Sequence, residues 1–305
     1  MKKITAIFLV MAMVFCLAAC QNGGDTASTG SGAGSAGSAA GTKFDATKSI
    51  TVISREEGSG TRDAFIELTG VQTKDADGKK TDNTTDEAVI IDGTQAVMSS
   101  VVGNEYAIGY ISLGSLNNTV KAVKVGGVTP SAAAIKDGSY VLSRPFNIAT
   151  KDNLSAVAQD FVDYILSTDG QKIVADAGCV TLDGGSAYAG SKPSGKIVVA
   201  GSSSVSPVME KLKEAYLAVN PNATIEIQTN DSSSGINAAK EGTCDIGMAS
   251  RALKDSEKET LTETKIAMDG IAVIVHKDNP TENLTKEQIA KIFTGAAEAW
   301  DEIGG

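Results

Sequence analysis

The feature of this sequence that most constrains its fold is a pattern that occurs three times. A short run of β-branched residues leads into a loop rich in Ser and Gly, and a helical pattern follows. The three runs are residues 50–53, 197–200 and 225–227. The second unit is the clearest, since Ser206 is predicted to cap a helix that Pro207 opens and whose apolar stripe reaches Val219. Strands that alternate with helices in this way predict an α/β fold.

The loops of this pattern are typical of sites for small anions. A Ser/Gly loop at a helix start presents free backbone N–H groups and the positive end of a helix dipole. It does so at the carboxyl edge of the sheet, where open α/β sheets bind their ligands. Any one of these loops alone is most simply an ordinary turn between strand and helix. Three of them, with Arg55 just before one loop, favour an anion site.

Composition and charge exclude several classes of function. The chain has 27 Lys and Arg against 37 Asp and Glu, so the basic patch that a nucleic-acid partner requires is not expected. A single histidine, His276, opposes zinc sites built on several histidines and relays that need an imidazole beside a nucleophile. The sequence also lacks a Cys-x-x-Cys motif. We therefore predict no metal, no cofactor and no enzyme of these classes.

The first 47 residues predict an exported and anchored protein. Residues 1–20 combine Lys2 and Lys3 with an apolar stretch and a final Leu-Ala-Ala-Cys, which is the layout of a signal peptide and resembles a bacterial lipobox. The resemblance implies cleavage before Cys20, a lipid such as palmitate on its thiol, and attachment to the extracytoplasmic face of the cell membrane. The alternative is cleavage after Ala19 with Cys20 unmodified. Residues 21–47 are almost wholly Gly, Ser, Ala and Thr, which predicts a disordered tether before a folded body at 48–305.

The body resembles the phosphate-binding proteins of bacterial ABC uptake systems, which are two-lobed periplasmic binding proteins. Six segments carry the resemblance, among them Gly-Ser-Ser-Ser-Val-Ser-Pro, Asp-Ser-Ser-Ser-Gly-Ile and Arg-Glu-Glu-Gly-Ser-Gly-Thr-Arg; the six lie at 199–207, 231–236, 245–251, 269–275, 292–300 and 55–62. The resemblance implies a type II periplasmic binding protein-like fold in which each lobe is a mixed sheet flanked by helices. It further implies that the protein binds inorganic phosphate between the lobes and delivers it to an ABC permease. We expect a monomer.

The order of these segments differs from the usual one. The segment at 55–62 comes late in the family but opens the body here, and the chain ends where the family would continue into Ile50. The resemblance therefore implies a circularly permuted body with its new join at about 184–195; the alternative is a truncated fragment of a tandem repeat. It places lobe A at about 120–275 and lobe B at about 280–305 plus 48–118. Permutation predicts that residues 300–305 lie beside Ile50.

The same matching assigns eight residues to phosphate binding. Lobe A contributes Ser203, Ser204, Ser232 and Ser250, and lobe B contributes Arg55, Ser59, Gly60 and Thr61. Many family members have an Asp at the position of Ser250, and that carboxylate accepts the proton of phosphate and rejects sulfate. Its absence leaves selectivity open. Glu57 is expected to pair with Arg55, the alternative being that it replaces the missing acceptor.

Several assignments remain alternatives at this stage. Arg144 and Arg251 are expected to form structural ion pairs rather than ligand contacts. A disulfide between Cys179 and Cys244 suits an exported protein, but the sequence gives no Cβ distance. Other functions left open are the binding of another tetrahedral oxyanion such as sulfate or molybdate, phosphate-ester hydrolysis, and a surface lipoprotein that senses or adheres without transport.

Overall fold

The computed structural model of the protein describes residues 44–303. The predicted signal peptide, the tether as far as residue 43, and Gly304 and Gly305 lie outside the described residues. The helices of the described range are α1 Gly60–Thr69, α2 Thr94–Val102, α3 Ala132–Lys136, α4 Ala156–Leu166, α5 Thr168–Asp176, α6 Ser206–Val219, α7 Ser232–Glu241, α8 Asp255–Lys258 and α9 Lys286–Phe293. Across residues 44–303, every helix is too short or too polar to span a bilayer.

The strands confirm the α/β fold that the alternating pattern predicts. They are β1 Thr51–Arg55, β2 Gln72–Lys74, β3 Lys80–Asp82, β4 Val89–Ile91, β5 Ala107–Ser112, β6 Lys121–Ala122, β7 Lys124–Val125, β8 Ser143–Thr150, β9 Gly195–Ser202, β10 Ala223–Asn230, β11 Ile246–Ala249, β12 Thr262–Val275 and β13 Asn283–Leu284. The three predicted units are therefore β1–α1, β9–α6 and β10–α7. One detail differs, since Val205 is the N-cap of α6 and Ser206 is its first helical residue.

One mixed sheet connects the two parts of the body. Its strands follow the order β10-β9-β11-β8-β12-β5-β1-β4, with β6 beside β12. The pairs β10/β9 and β9/β11 are parallel, as are β1/β4 and β1/β5, whereas β12 is antiparallel to both its long neighbours. Residues 262–270 of β12 pair with β8 and residues 271–275 pair with β5. This one long strand therefore passes from one part of the sheet to the other.

Two main groups of buried side chains divide the body into lobes. The core of lobe A includes Phe161, Val199, Leu212 and Ile246, from α4, β9, α6 and β11. The core of lobe B includes Phe65, Tyr110, Val123, Ile271 and Phe293, and the rings of Phe65 and Tyr110 stack at 3.9 Å.

The lobe limits given by the sequence stay a prediction, and the two side-chain cores favour different limits. Val123 and Ile271 pack with lobe B although they fall inside the predicted range 120–275 of lobe A. The reason is the length of β12, because its last residues pair with β5 in lobe B. We use lobe A and lobe B below for the two parts defined by these cores.

The two ends of the described chain lie side by side on lobe B. Ile50 N–H donates to the carbonyl of Glu298 at 2.7 Å, and Ser49 forms an antiparallel bridge with Ala299. Ile50 and Ile303 pack on the same core. Residues 298 and 299, directly before the predicted range 300–305, thus contact residues 49 and 50, and Ile303 packs on the same core as Ile50.

The packed body begins slightly earlier than the predicted start at residue 48. The ring of Phe44 lies 5.1 Å from that of Tyr106 and 6.1 Å from that of Trp300. Asp301 N–H also donates to the carbonyl of Ala46 at 2.9 Å. An aromatic anchor among small residues therefore attaches the last part of the predicted tether to lobe B.

Candidate functional site

Three loops of lobe A end at one edge of the sheet. Ser203 and Ser204 follow β9, Ser232 is the first residue of α7 after β10, and Ser250 follows β11. Because these three strands are parallel neighbours, their carboxyl ends converge. The backbone N–H of Ser250 donates to the Ser232 hydroxyl at 3.1 Å, and both side chains are buried. The four serines predicted for lobe A are therefore brought to one place.

The facing loop of lobe B carries the only guanidinium among the eight predicted residues. Arg55 is the last residue of β1 and is 2% exposed. A turn through Gly58, whose φ of 86° suits glycine, leads to the start of α1 at Gly60. The Ser59 hydroxyl caps this helix by accepting from Arg62 N–H at 3.3 Å. The remaining free N–H groups of the first turn of α1 lie at the same edge.

Hydrogen bonds join the two loops across the cleft. Arg55 Nη2 donates to the Ser203 hydroxyl at 3.0 Å, and the hydroxyl oxygens of Thr61 and Ser204 are 2.8 Å apart. Weaker contacts of 3.4 Å link the Ser250 hydroxyl to those of Thr61 and Ser232. Hydroxyl groups that meet without a charged acceptor between them can each turn a proton toward an incoming anion.

Gly60 sets how closely the lobes approach. A Cβ atom at this position would lie 2.5 Å from the Ser232 hydroxyl oxygen and 2.9 Å from that of Ser250. A side chain therefore has no room when the cleft is closed. Six of the eight predicted residues form hydrogen bonds or close hydroxyl contacts across the cleft or within this cluster. Gly60 lies against the Ser232 and Ser250 side chains, and Ser59 is beside it as the cap of α1.

Sequence reasoning missed Thr94, which belongs to the same cluster. Thr94 is the first residue of α2; its N–H donates to the Ser203 hydroxyl at 3.3 Å, and its hydroxyl lies 3.1 Å from that of Ser204. Arg55 Nη1 also donates to the Thr94 hydroxyl at 3.4 Å. A signal was available, because Gly93-Thr94 follows β4 and opens a helix, which is a fourth copy of the pattern.

A second buried arginine contacts the cluster of hydroxyl groups at the cleft through Thr61. Arg144 on β8 forms an ion pair with Asp269 on β12, with Nη1 and Oδ2 2.7 Å apart. Its Nη2 donates to the Thr61 hydroxyl at 2.9 Å. The expected structural pair is therefore present, and Arg144 also contacts a predicted ligand residue. Burial raises the pKa of Asp269, while Arg144 and two further donors, the Ser112 hydroxyl and Gly114 N–H, act to lower it.

The expected ion pair between Arg55 and Glu57 is wrong, because Glu56 takes that place. Glu56 accepts from Arg55 Nε and Nη2, both at 2.6 Å, in a bidentate contact. It also accepts from Gly93 N–H at 3.2 Å. Glu57, one residue further into the turn, is exposed. Pairing with the adjacent residue leaves Glu57 free to face the entrance of the cleft.

The entrance is acidic although the interior offers donors. A cavity of about 460 Å³ opens beside Ser203, and its wall includes the carboxylates of Glu56, Glu57, Asp92 and Asp231. Such a rim repels an approaching anion. Anion binding must therefore depend on the buried hydroxyl, N–H and guanidinium groups rather than on positive charge at the mouth.

Arg251 makes the structural pairs that the sequence favoured. It pairs with Glu257 of its own lobe at 2.8 Å and lies 3.1 Å from the carboxylate of Asp63 on α1. Burial raises the pKa of Asp63, and the charge of Arg251 opposes that shift. Arg251 thus adds an ionic contact between the lobes outside the hydroxyl cluster.

The suggested disulfide between Cys179 and Cys244 is not formed. Both thiols are free and buried. They lie in different groups of packed side chains, Cys179 with Phe161 and Cys244 with Ile236. Burial raises the pKa of Cys179 to about 12 and that of Cys244 to about 11, so both act as small apolar side chains.

Known proteins are similar to this chain over most of its length. A family model described as a PBP superfamily domain matches residues 36–169 and 186–305. The phosphate-binding protein PstS 2 of Streptococcus agalactiae serotype V is 50% identical over 256 residues, which cover 83% of this chain and 87% of the relative. PstS 2 of Streptococcus pneumoniae serotype 4 is 49% identical over 265 residues, covering 87% and 91%.

A solved structure is similar over nearly its whole length. It is the phosphate-binding protein of a phosphate ABC transporter from Streptococcus pneumoniae TIGR4, with a TM-score of 0.67 and 50% sequence identity. The match covers 84% of this chain and 99% of that one. The segments that contact one another across the cleft lie within the residues that the family model matches.

Proposed function

Since the chain belongs to the PBP superfamily and, within it, to the bacterial phosphate-binding proteins, we propose that it captures inorganic phosphate in the cleft between lobes A and B and supplies it to an ABC transporter. The observation that carries the proposal is the meeting of Arg55 and Thr61 of lobe B with Ser203 and Ser204 of lobe A. These groups contact one another directly, and both lobes contribute hydrogen-bond donors at this one place. A tetrahedral oxyanion offers acceptors in all these directions.

Binding replaces contacts between protein groups with contacts to the anion. In the described structure the hydroxyls of Thr61 and Ser204 share one hydrogen bond. An anion between them would accept from both, and a guanidinium fork such as Arg55 can direct two N–H bonds to two oxygens. The N-termini of α1 and α7, which start at Gly60 and Ser232, add N–H groups and a favourable dipole. No bond of the ligand needs to break.

Closure of the cleft is the proposed mechanical step. Contacts between Ser233 N–H and the Gly58 carbonyl, at 3.1 Å, and between Arg251 and Asp63 join lobe A to lobe B. They lie beside the hydroxyl cluster and form only when the lobes are near. Phosphate that contacts both lobes would favour this closed form, because a ligand shifts an equilibrium toward the state it binds better.

We also propose the cellular setting that the first residues imply. Residues 1–20 act as a lipoprotein signal peptide, Cys20 carries a lipid anchor, and residues 21–43 tether a monomeric body at the extracytoplasmic face of the membrane, where it meets the permease. The circularly permuted order is part of the same proposal. The adjacency of Ile50 and Glu298 supports it, since closely spaced termini tolerate relocation of the chain ends.

Titration calorimetry of the full chain in detergent tests the function. Phosphate, sulfate and molybdate are titrated separately at one ionic strength, and we expect phosphate to bind at one site per chain. Binding of sulfate or molybdate without phosphate would favour another tetrahedral oxyanion as the substrate. This alternative follows from Ser250, which stands where many family members have the Asp that rejects sulfate. Release of phosphate from an ester by the full chain would instead support the hydrolase alternative.

A further inference from the structure

Arg144 occupies an unusual position for a residue outside the predicted ligand set. It is 2% exposed, and its partner Asp269 is fully buried. Its guanidinium also lies 5.0 Å from the centre of the Phe146 ring. The two ends of its fork serve different partners, since Nη1 contacts Asp269 and Nη2 contacts the Thr61 hydroxyl. A buried ion pair alone would not require the second contact.

The direction of the second hydrogen bond is fixed by chemistry. A guanidinium can only donate, so the Thr61 oxygen must accept from Arg144. The Thr61 hydroxyl has one proton left to give, and in the described structure its next neighbour is the Ser204 hydroxyl at 2.8 Å. With an anion in the cleft, that proton is available to an anion oxygen.

We propose that Arg144 is a positioning residue that holds the Thr61 hydroxyl as a donor and so favours the more deprotonated form of the bound oxyanion. The inference rests on the proposed function. Without Arg144 the Thr61 hydroxyl could turn and accept the proton of a protonated phosphate. With Arg144 in place it donates, which suits an oxygen that carries no proton. Ser250 does not restore a fixed acceptor, because its hydroxyl can rotate.

Several charged groups surround Arg144, so the pH test needs a second anion whose own charge stays constant. Asp269 faces Arg144 from β12, Arg55 approaches from β1 with its partner Glu56, and the Cys179 thiol is near enough to influence the charge of Arg144. Further charged side chains line the same cavity as Arg144: Asp63, Glu67, Lys80, Arg251 and Lys254. Burial raises the pKa of Cys179 to about 12, so this thiol stays neutral. Inorganic phosphate loses its second proton near neutral pH, whereas sulfate keeps the same charge there and reports any titration of the protein.

A double-mutant cycle on the full chain tests the inference. Phosphate and sulfate are titrated at one pH where the phosphate monoanion dominates and one where the dianion dominates. The paired change Arg144→Gln with Asp269→Asn removes both buried charges together and avoids an unpaired carboxylate. We expect dianion affinity to fall about tenfold, the worth of one hydrogen bond to a charged group, and monoanion affinity to fall less. Sulfate affinity should fall equally at both pH values.

The second arm of the cycle uses Thr61→Val, with Thr61→Ser as its control. In the Thr61→Val background the paired change should alter affinity by less than about twofold, because its effect acts through the missing hydroxyl. Equal losses for monoanion and dianion, or an unchanged loss in the Thr61→Val background, would overturn the inference and leave Arg144 a structural residue.

A milder variant keeps the test valid if the paired change prevents folding. Arg144→Lys retains the charge but offers one ammonium in place of the fork, and it should show the same pH pattern with a smaller loss. Thermal unfolding without ligand identifies variants that are merely unstable. If the unaltered chain binds no phosphate, the proposed function fails. If it binds phosphate and the cycle shows no coupling, only the role of Arg144 fails.

Discussion

Arg55 Nη2 lies 3.0 Å from the hydroxyl oxygen of Ser203, although 148 positions separate the two residues in the chain. The bond joins the end of β1 in lobe B to the loop after β9 in lobe A. Glu56 accepts from Nε and from this same Nη2 atom, both at 2.6 Å. Arg55 is therefore oriented by its own lobe and directed at the other one, which is the arrangement a closing anion site needs.

Loss of Arg55 should weaken phosphate binding more than loss of any single hydroxyl. Arg55→Ala removes two charge-assisted donors from a buried site, each worth about 1.5–3 kcal/mol, so we expect a loss of about a hundredfold or more by calorimetry. Lys196→Ala is the matched control, because it also removes one positive charge but from an exposed pair with Glu226 on β10. A change under about threefold for Arg55→Ala would exclude it as a main ligand.

Gly60→Ala should prevent closure rather than folding. The added methyl group would meet the hydroxyls of Ser232 and Ser250 of the other lobe, so it conflicts only with the closed form. We expect phosphate affinity to fall at least about tenfold, while the unfolding temperature without ligand changes little. Gly103→Ala serves as control, since its nearest neighbour would be the Ser99 carbonyl oxygen at an ordinary 3.5 Å. Unaltered binding by Gly60→Ala would show that the described closure is not the binding form.

Ser250→Asp should raise the ratio of phosphate to sulfate affinity. Ser250 is buried beside Ser232 and Thr61, where a carboxylate could accept the proton of phosphate but would repel sulfate. An unpaired buried acceptor costs about 1–3 kcal/mol, so sulfate affinity should fall by about five- to a hundredfold. Phosphate and sulfate titrations of both proteins at one ionic strength measure the ratio. If the unaltered chain already rejects sulfate strongly and Glu57→Gln removes that rejection, Glu57 is the acceptor.

The location of this site could be predicted from local patterns, and the family resemblance then assigned its individual residues. A Ser/Gly loop between a strand and a helix marks Ser203, Ser232 and Gly60 wherever the loop occurs. Thr94 was not predicted because the strand before it, β4, has only three residues, two of them exposed. So short a strand gives a weak signal in the sequence. The contact between Arg144 and Thr61 joins positions 83 residues apart, and no local pattern reports such a distance.

The partner of Arg55 and the pairing of the two thiols were the least predictable features. The choice between Glu56 and Glu57 as partner of Arg55 depends on how the turn at Gly58 directs two adjacent side chains. Likewise, two cysteines in one folded body do not reveal that their side chains pack in separate groups. Lobe limits are also hard to read, because β12 contributes to both lobes without a break.

The buried thiols should be unreactive in the folded protein. With pKa values of about 12 for Cys179 and about 11 for Cys244, the thiolate fraction near pH 8 is about one in a thousand or less. In a chain with Cys16→Ser and Cys20→Ser, a thiol reagent should label no cysteine until denaturant is added, and then two. A reductant should leave the unfolding temperature unchanged. If the unfolded protein is labelled at fewer than two sites unless a reductant is added, Cys179 and Cys244 form a disulfide instead.

A crystal structure of the full chain or its mature form with phosphate tests the central claim most directly. We expect one tetrahedral anion between the lobes, within hydrogen-bond distance of Arg55, Ser204 and Thr61, with the Ser232 and Ser250 hydroxyls completing its surroundings. Phosphate bound elsewhere on the body, or an occupied chain in which Arg55 and Ser204 make no contact with the anion, would contradict the claim.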